Sequence, residues 1–255
     1  MLDLKQTTFL IPVKIEHEDR ANNLKIVVDY LSNALDTNII IHEQDSDAVR
    51  DILKDYRFGY MKTEREDGMI HRTKQLNDMT KKATTPVVVN YDADVLCYPE
   101  IYKQAQEVIL QNRADVVYPY NGKFYDVPRK YHDVIFERKT LGHIEPIQNN
   151  GDLLHPNSVG GAIFLNRQKY MDVGMENQNF MSWGFEDNER VFRFKKLGCR
   201  IARIGGALFH LTHTRTTNSV PEHPFYKQNE QEFYRIVRMH KQQLRQEVNR
   251  WGWRR

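Results

Sequence analysis

Short, uninterrupted apolar runs alternate with segments of helical period through the first half of the chain. That alternation constrains the fold more than any other feature. Thr8-Phe9-Leu10-Ile11-Pro12-Val13 gives way to a mostly polar stretch, 14–23, and then Leu24 to Leu31 carries apolar residues at i, i+3, i+4 and i+7. Asn38-Ile39-Ile40-Ile41-His42 follows, with helical segments predicted over 47–55 and 71–82. Thr85-Pro86-Val87-Val88-Val89-Asn90-Tyr91 is the most β-branched run, and a helix over 99–112 and a strand over 114–118 come after it. Strands that are apolar on both faces and separated by helices pack into a largely parallel, doubly covered sheet. The prediction is an α/β protein with a mostly parallel central sheet flanked by helices.

The middle of the chain breaks this rhythm. Residues 121–158 are polar, aromatic and aperiodic, punctuated by Gly122, Pro128, Gly142, Pro146, Gly151 and Pro156. A stretch of that length inside a compact domain is usually functional or mobile. Regular structure is expected again as a strand over 160–165, a helix over 187–197 ended by Gly198, and a strand over 200–204. At 255 residues the chain suits one large domain, taken as 1–230, with 231–255 as a basic C-terminal helix or tail. That tail sets Arg235, Arg238, Lys241, Arg245, Arg250, Arg254 and Arg255 against only Glu232 and Glu247. It reads either as a solvated amphipathic helix packing Phe233, Ile236 and Met239 on the body, or as a contact with anionic lipid through Trp251, Trp253 and the terminal arginines.

Composition excludes several classes. With 40% hydrophobic and 28% charged residues the chain is globular rather than disordered. No apolar run approaches the ~20 residues of a membrane span. Met1-Leu2-Asp3-Leu4-Lys5-Gln6 opens no signal peptide. Two cysteines, Cys97 and Cys199, argue against a disulfide framework or a cysteine zinc site, so a reducing cytoplasm is expected, with peripheral placement on the inner membrane face if the tail binds lipid. A net charge of +3 does not suggest a nucleic-acid-binding body.

Three constellations can carry chemistry. Asp92-Ala93-Asp94 directly follows the β-branched strand, where open α/β sheets bind ligands and where carboxylates can meet a hard cation and a phosphate. A second D-x-D, Asp45-Ser46-Asp47, shows how often the pattern arises by chance. Trp183-Gly184-Phe185-Glu186-Asp187-Asn188-Glu189 opens a helix. Acids in a first turn suit the helix dipole whatever the function, but here they sit behind a flat apolar ring beside a carboxylate able to act as a base. Phe209-His210-Leu211-Thr212-His213 offers two imidazoles whose i, i+3 spacing brings them together on a helix or tight turn, making a metal shell when joined by a carboxylate. No H-E-x-x-H pattern supports a zinc hydrolase.

Taken in order, these segments resemble the inverting, metal-dependent β-1,4-galactosyltransferase-like glycosyltransferases of the GT-A fold, of a bacterial or viral type without stem or membrane anchor. The resemblance runs from about Phe9 to Arg215. Ile11-Pro12-Val13 and Arg20 are similar to the first strand of that family, which holds the uridine nucleotide. His71-Arg72-Thr73-Lys74-Gln75-Leu76-Asn77 is similar to its donor-contacting helix. Asp92-Ala93-Asp94 matches its D-x-D, Ser158-Val159-Gly160-Gly161-Ala162 its sugar-pocket glycines, Trp183-Gly184-Phe185-Glu186-Asp187 its W-G-x-E-D, and His213-Thr214-Arg215 its metal-binding H-S-R. Where the animal enzymes place a methionine three residues before the metal histidine, this chain has His210.

The resemblance implies a catalytic base at Asp187 assisted by Glu186, and donor contacts from Pro12, Val13, Arg20, Arg72, Asp92, Asp94 and Gly161. It further implies an acceptor platform at Trp183 and Gly184, and a metal set of Asp94, His210 and His213. The implied cofactor is Mn2+, with Mg2+ as the alternative, and the implied reaction moves a hexose or N-acetylhexosamine (Gal or GalNAc type) from a UDP-sugar to a saccharide or lipid-linked saccharide hydroxyl, as in polysaccharide biosynthesis. Residues 214–228, after the metal histidine, form a candidate lid. Two other readings compete. A nucleotidyltransferase making sugar nucleotides needs a glycine-rich basic loop after the first strand, and Lys14-Ile15-Glu16-His17-Glu18-Asp19-Arg20 has no glycine and three acids. A non-catalytic sugar-nucleotide-binding module has no need of Asp94, Asp187, His210 and His213 together.

Overall fold

The computed structural model describes residues 1–144, 147 and 153–254; Pro146, Gly151 and Arg255 lie outside them, and of Arg254 only the backbone is described. In chain order the first elements are β1 (Leu2–Val13), α1 (Glu18–Ala34), β2 (Leu35–Gln44), α2 (Ala48–Ile52), β3 (Gly59–Thr63), α3 (Arg72–Lys82) and β4 (Val87–Tyr91). Next come β5 (Val95–Leu96), α4 (Pro99–Leu110), β6 (Val116–Tyr118), β7 (Phe124–Val127), α5 (His132–Arg138), β8 (Leu153–His155) and β9 (Ala162–Asn166). The chain then runs through α6 (Arg167–Asp172), α7 (Glu186–Leu197), β10 (Ile201–Arg203), β11 (Leu208–Leu211), α8 (Tyr226–Arg238) and α9 (Lys241–Arg250).

The central sheet has seven strands in the order β10-β6-β9-β4-β1-β2-β3. Every pairing is parallel except those of β9, which runs antiparallel between β4 and β6. Val87, Val88 and Val89 are fully buried, as a strand covered on both faces requires. The reversed β9 has a consequence for position. Its entry, Gly160-Gly161, lies beside the exit of β4, and the Asp92 amide donates to the Gly161 carbonyl at 2.8 Å.

A second sheet, β5-β11-β7-β8, occupies part of the stretch expected to be aperiodic. In β7, Phe124-Tyr125-Asp126-Val127 alternates half-buried and buried side chains, a period hidden by its aromatic and acidic residues. His210 sits on strand β11, not on the helix or tight turn that its spacing from His213 suggested.

The C-terminal helices pack on the body. Ile236, Leu244 and Val248 are buried, and α8 and α9 both contact α7. Trp251 is only 4% exposed, stacked on Trp253 at 4.9 Å and capped by the Arg193 guanidinium at 5.1 Å. The tryptophans that the lipid reading of the tail would place on a membrane are therefore spent on the protein's own core, while the packing that the other reading gives Ile236 and Met239 is present. Among the described residues no helix is long and apolar enough to cross a membrane.

Candidate active site

The carboxyl ends of β1 and β4, the entry to β9 and the residues after β11 meet around a cleft of about 600 Å3. Every residue that the sequence singled out for catalysis, donor, acceptor or metal lines it: Pro12, Val13, Arg20, Arg72, Asp92, Asp94, Gly161, Trp183, Gly184, Glu186, Asp187, His210 and His213. The second D-x-D does not. Asp47 is exposed and paired with Lys62 at 2.7 Å, while Asp45 is paired at 2.8 Å with Lys14, which lines the cleft as Asp45 does not.

Strand pairing assembles the acid–imidazole group. His210 lies opposite Val95, and the Leu211 amide donates to the Asp94 carbonyl at 2.7 Å, so β11 is stitched to the D-x-D turn. His213 Nε2 then lies 3.1 Å and His210 Nε2 4.0 Å from Asp94 Oδ2, and all three ligand atoms fall within 4.8 Å of one another. The outer nitrogens are committed elsewhere: His210 Nδ1 to Asp126 Oδ1 at 2.9 Å, and His213 Nδ1 to the Thr214 carbonyl at 2.9 Å. A carboxylate and a carbonyl only accept, so each Nδ1 carries a proton and each Nε2 turns toward Asp94. Two nitrogen lone pairs and a carboxylate converging on one point call for a shared cation, and this mixed nitrogen–oxygen set fits a divalent metal ion. When the two Nε2 atoms carry protons in place of a shared cation, burial still works against the charged Asp94, but the His213 hydrogen bond and the charges of His210 and Arg20 outweigh it and hold the carboxyl well below its usual range.

Two guanidinium groups face this carboxylate pair. Arg20, from α1, stands 3.8 Å from Asp94, and Arg72, at the start of α3, donates to Asp92 at 2.5 and 3.1 Å. Arg20 Nε and Arg72 Nη1 are buried without a hydrogen-bond partner, Arg72 Nη1 having only the Asp187 carboxylate at 3.9 Å, which suits a cleft that receives an anion.

Next to Arg72, α7 begins with Glu186 and Asp187, and Asp187 Oδ1 lies 3.9 Å from Arg72 Nη1. The preceding residue, Phe185, has φ 72°, left-handed backbone that a bulky residue adopts only under constraint. The constraint is aromatic: Phe185 packs on Tyr226 at 5.2 Å and Phe233 at 5.6 Å, and Tyr226 stacks on Trp183 at 6.2 Å. Asp187 is gripped by Arg190, which is fully buried and binds Glu176 at 2.9 Å on its other side. Gly160 leaves room for this carboxylate, because a Cβ there would lie 2.2 Å from Asp187 Oδ2. Burial, with the neighbouring charge of Asp187, pushes Glu186 up to about 7. The two adjacent acids thus differ: one exposed to the cleft in an ion pair, one buried and readily protonated.

Sequence reasoning missed Asp126, Arg190 and Tyr226. Asp126 lies in the stretch read as aperiodic, and Arg190 reads as an ordinary polar helix residue. Tyr226 fell within the supposed lid. That segment is ordered across the cleft: Asn218 Nδ2 donates to Glu16 at 2.7 Å, Asn218 Oδ1 accepts from the Ile70 amide at 2.8 Å, and His223 Nε2 meets the Trp183 carbonyl at 2.6 Å.

A mostly parallel sheet with carboxylates, imidazoles and arginines gathered at its carboxyl edge defines a GT-A-type glycosyltransferase scaffold. More narrowly, the chain belongs to glycosyl transferase family 2, whose family model matches residues 8–174. A second model, described as the N-terminal domain of galactosyltransferase, matches residues 147–217, which include the Gly160-Gly161 turn, the Trp183–Asp187 corner and both histidines. No curated protein sequence matches the chain. Among solved structures, glucosyl-3-phosphoglycerate synthase from Mycobacterium tuberculosis, in complex with Mg2+ and UDP, is 14% identical with a TM-score of 0.52, over 84% of this chain and 73% of that one. That likeness is one of fold. The catalytic domain of Drosophila β1,4-galactosyltransferase 7 with xylobiose is 15% identical with a TM-score of 0.42, and a mutant of it with manganese, UDP-Gal and xylobiose is 14% identical with a TM-score of 0.46. In both comparisons 80% of this chain is matched, and it spans 65% of the Drosophila chain.

Proposed function

We propose that this chain is an inverting glycosyltransferase that moves a hexose or N-acetylhexosamine from a uridine diphosphate sugar to a hydroxyl of a saccharide. The observation that carries the proposal is the convergence of Asp94, His210 and His213 in the same cleft as Asp187. Family membership supports glycosyl transfer, and the complexes of related folds with UDP and Mn2+ or Mg2+ support a nucleotide diphosphate and a divalent ion as ligands.

Asp94, His210 and His213 would hold the ion, with Asp126 fixing the His210 ring. Bound there, the cation supplies Lewis-acid neutralisation of charge on the departing diphosphate. Arg20 and Arg72 add fixed positive charge on the same side, and Pro12 and Val13 at the end of β1 line the nucleotide end of the cleft. Gly161 and Asp92 bound the donor sugar. On the acceptor side Trp183 presents its ring to a sugar face, and Gly184 keeps the corner open. Asp187 Oδ takes the proton of the acceptor hydroxyl as that oxygen bonds to the anomeric carbon, while the bond from that carbon to the diphosphate oxygen breaks and its electron pair leaves with UDP. Arg190 keeps Asp187 aimed, and Glu186 hydrogen-bonds a sugar hydroxyl. Residues 1–230 form the catalytic body and 231–255 its C-terminal appendage, of which α9 and the end of α8 brace α7, and the 214–228 segment closes over the donor.

The test is calorimetry of UDP with and without Mn2+, run beside UDP release from UDP-Gal, UDP-GalNAc, UDP-Glc and UDP-GlcNAc. Binding should require the ion and be lost in Asp94→Ala and His213→Ala. Equal UDP affinity in EDTA, or in those variants, overturns the metal assignment.

A further inference from the structure

We propose that the aromatic side chains running from the cleft rim over α7 and α8 form a track for a glycan chain, so that the acceptor is an oligo- or polysaccharide and not a single sugar. This rests on the glycosyltransferase function proposed above. Trp183 stands at the rim, 40% exposed, stacked on Tyr226 with their rings 14° from parallel. From Tyr226 the rings continue through Phe185 and Phe233, and Phe233 meets Tyr234 at 5.3 Å and Phe192 at 5.8 Å. The inner members, Trp183, Phe185 and Tyr226, line the cleft. The outer members do not, and they are open to solvent: Phe192 is 49% and Tyr234 45% exposed. Tyr226 to Phe233 spans about 10 Å along α8 at the helical rise.

Single exposed apolar residues are ordinary, but a contiguous strip marks a binding surface. Because this strip starts inside the cleft at the acceptor wall, a molecule lying on it is continuous with one held against Asp187. The flanking chemistry favours sugar over lipid or protein. A pyranose offers an apolar C–H face to a ring and hydroxyls at its edge, and exposed Asn188 and Gln231, one helical turn before Phe192 and Tyr234, supply amides on the same helix faces. The helix that carries Tyr226, Phe233 and Tyr234 is itself close to neutral, with Lys227, Arg235 and Arg238 against Glu230 and Glu232 and with Arg235 paired to both Glu232 and Glu247, so most of the excess positive charge that would attract an anionic bilayer lies further along the chain, from Lys241 on.

The experiment is affinity electrophoresis of the full chain through gels cast with neutral polysaccharides of xylose, galactose, glucose or N-acetylglucosamine, comparing wild type with Phe192→Ser/Tyr234→Ser. UDP binding with Mn2+ is measured on both proteins. At least one polymer should retard the wild type, and the double variant should lose at least about tenfold in affinity for it, since two half-exposed rings no longer shed apolar surface. Oligosaccharides of that polymer should bind the wild type more tightly as they lengthen, and the variant should lack this gain. No retardation by any polymer, retardation that the variant keeps, or a strip that instead mediates vesicle pelleting or self-association overturns the track. A wild type that binds glycan through the strip but never binds UDP would instead refute the function proposed above and leave the track standing.

Discussion

Adding a single methyl group at Gly160 should disable the proposed base without touching the nucleotide. Gly160 does not use left-handed backbone, so alanine fits its main chain, and the strain of Gly160→Ala falls on one neighbour. The new Cβ would stand 2.2 Å from Asp187 Oδ2, whereas ordinary contact begins at 3.4 Å, so the carboxylate must retreat by about 1.2 Å. It cannot do so freely, because Arg190 is fully buried and fixed to Glu176 behind it. A misplacement of about 1 Å costs on the order of 10²-fold in rate. Turnover of Gly160→Ala should therefore fall by about that factor while calorimetric UDP affinity in Mn2+ stays at the wild-type value. Asp187→Asn, which cannot accept the proton, should lose about 10²–10⁴-fold. If both act through one carboxylate, the double variant is no worse than Asp187→Asn alone. A Gly160→Ala enzyme of normal turnover, or losses that multiply in the double variant, would refute the role given to Asp187.

The neighbouring Gly161→Ala should behave oppositely: with φ +77° and Leu208 Cδ2 2.5 Å from a Cβ, overpacking alone costs roughly 1–3 kcal/mol, read as a lowered Tm. Asp47→Asn should leave metal-dependent activity within a few fold, because its carboxylate is exposed and bonded to Lys62; a loss like that of Asp94→Asn would contradict this. Trp251→Ala should destabilise by about 3–5 kcal/mol in urea melts while pelleting with anionic vesicles stays unchanged, the reverse of what a lipid-facing residue gives. Glu186 is held at about 7 against an ordinary 4.5, so the folded chain keeps a proton that the unfolded chain releases, and stability should fall as pH rises between those values. Glu186→Gln should flatten that slope in melts across the same range; an unchanged slope assigns the fall to another group.

The strands of the main sheet were legible because burial on both faces leaves an unbroken apolar run, as in Val87-Val88-Val89. The outer parts of the same elements were not. β1 begins at Leu2, ahead of the predicted Thr8, because Asp3 and Lys5 face solvent at a stretch paired only with β2, and α1 begins at Glu18 on a turn whose polar residues show no period. The short strands of the second sheet carry too few residues each for alternation to register, so β5, β7, β8 and β11 were invisible. At the cleft the ordered motifs named the residues that converge there. What holds them left no signal: Asp126 behind His210 and Tyr226 behind Trp183 come from distant chain positions, and Arg190, one turn after Asp187, is set apart from an ordinary helix arginine only by its burial against Glu176.

The strap of residues 214–223 across the cleft is fastened almost wholly by polar groups: Thr216 and Asn218 to Glu16, Asn218 to Ile70 and Ser182, and His223 to Trp183. Lifting it would exchange each of these bonds for one with water and would wet little hydrocarbon. The net free energy of such exchanges is small, and their heat-capacity change is smaller still, because that quantity tracks apolar surface. Access to the cleft should therefore vary smoothly with temperature, and an Arrhenius plot of donor association should stay close to straight where the unfolding of the same protein curves.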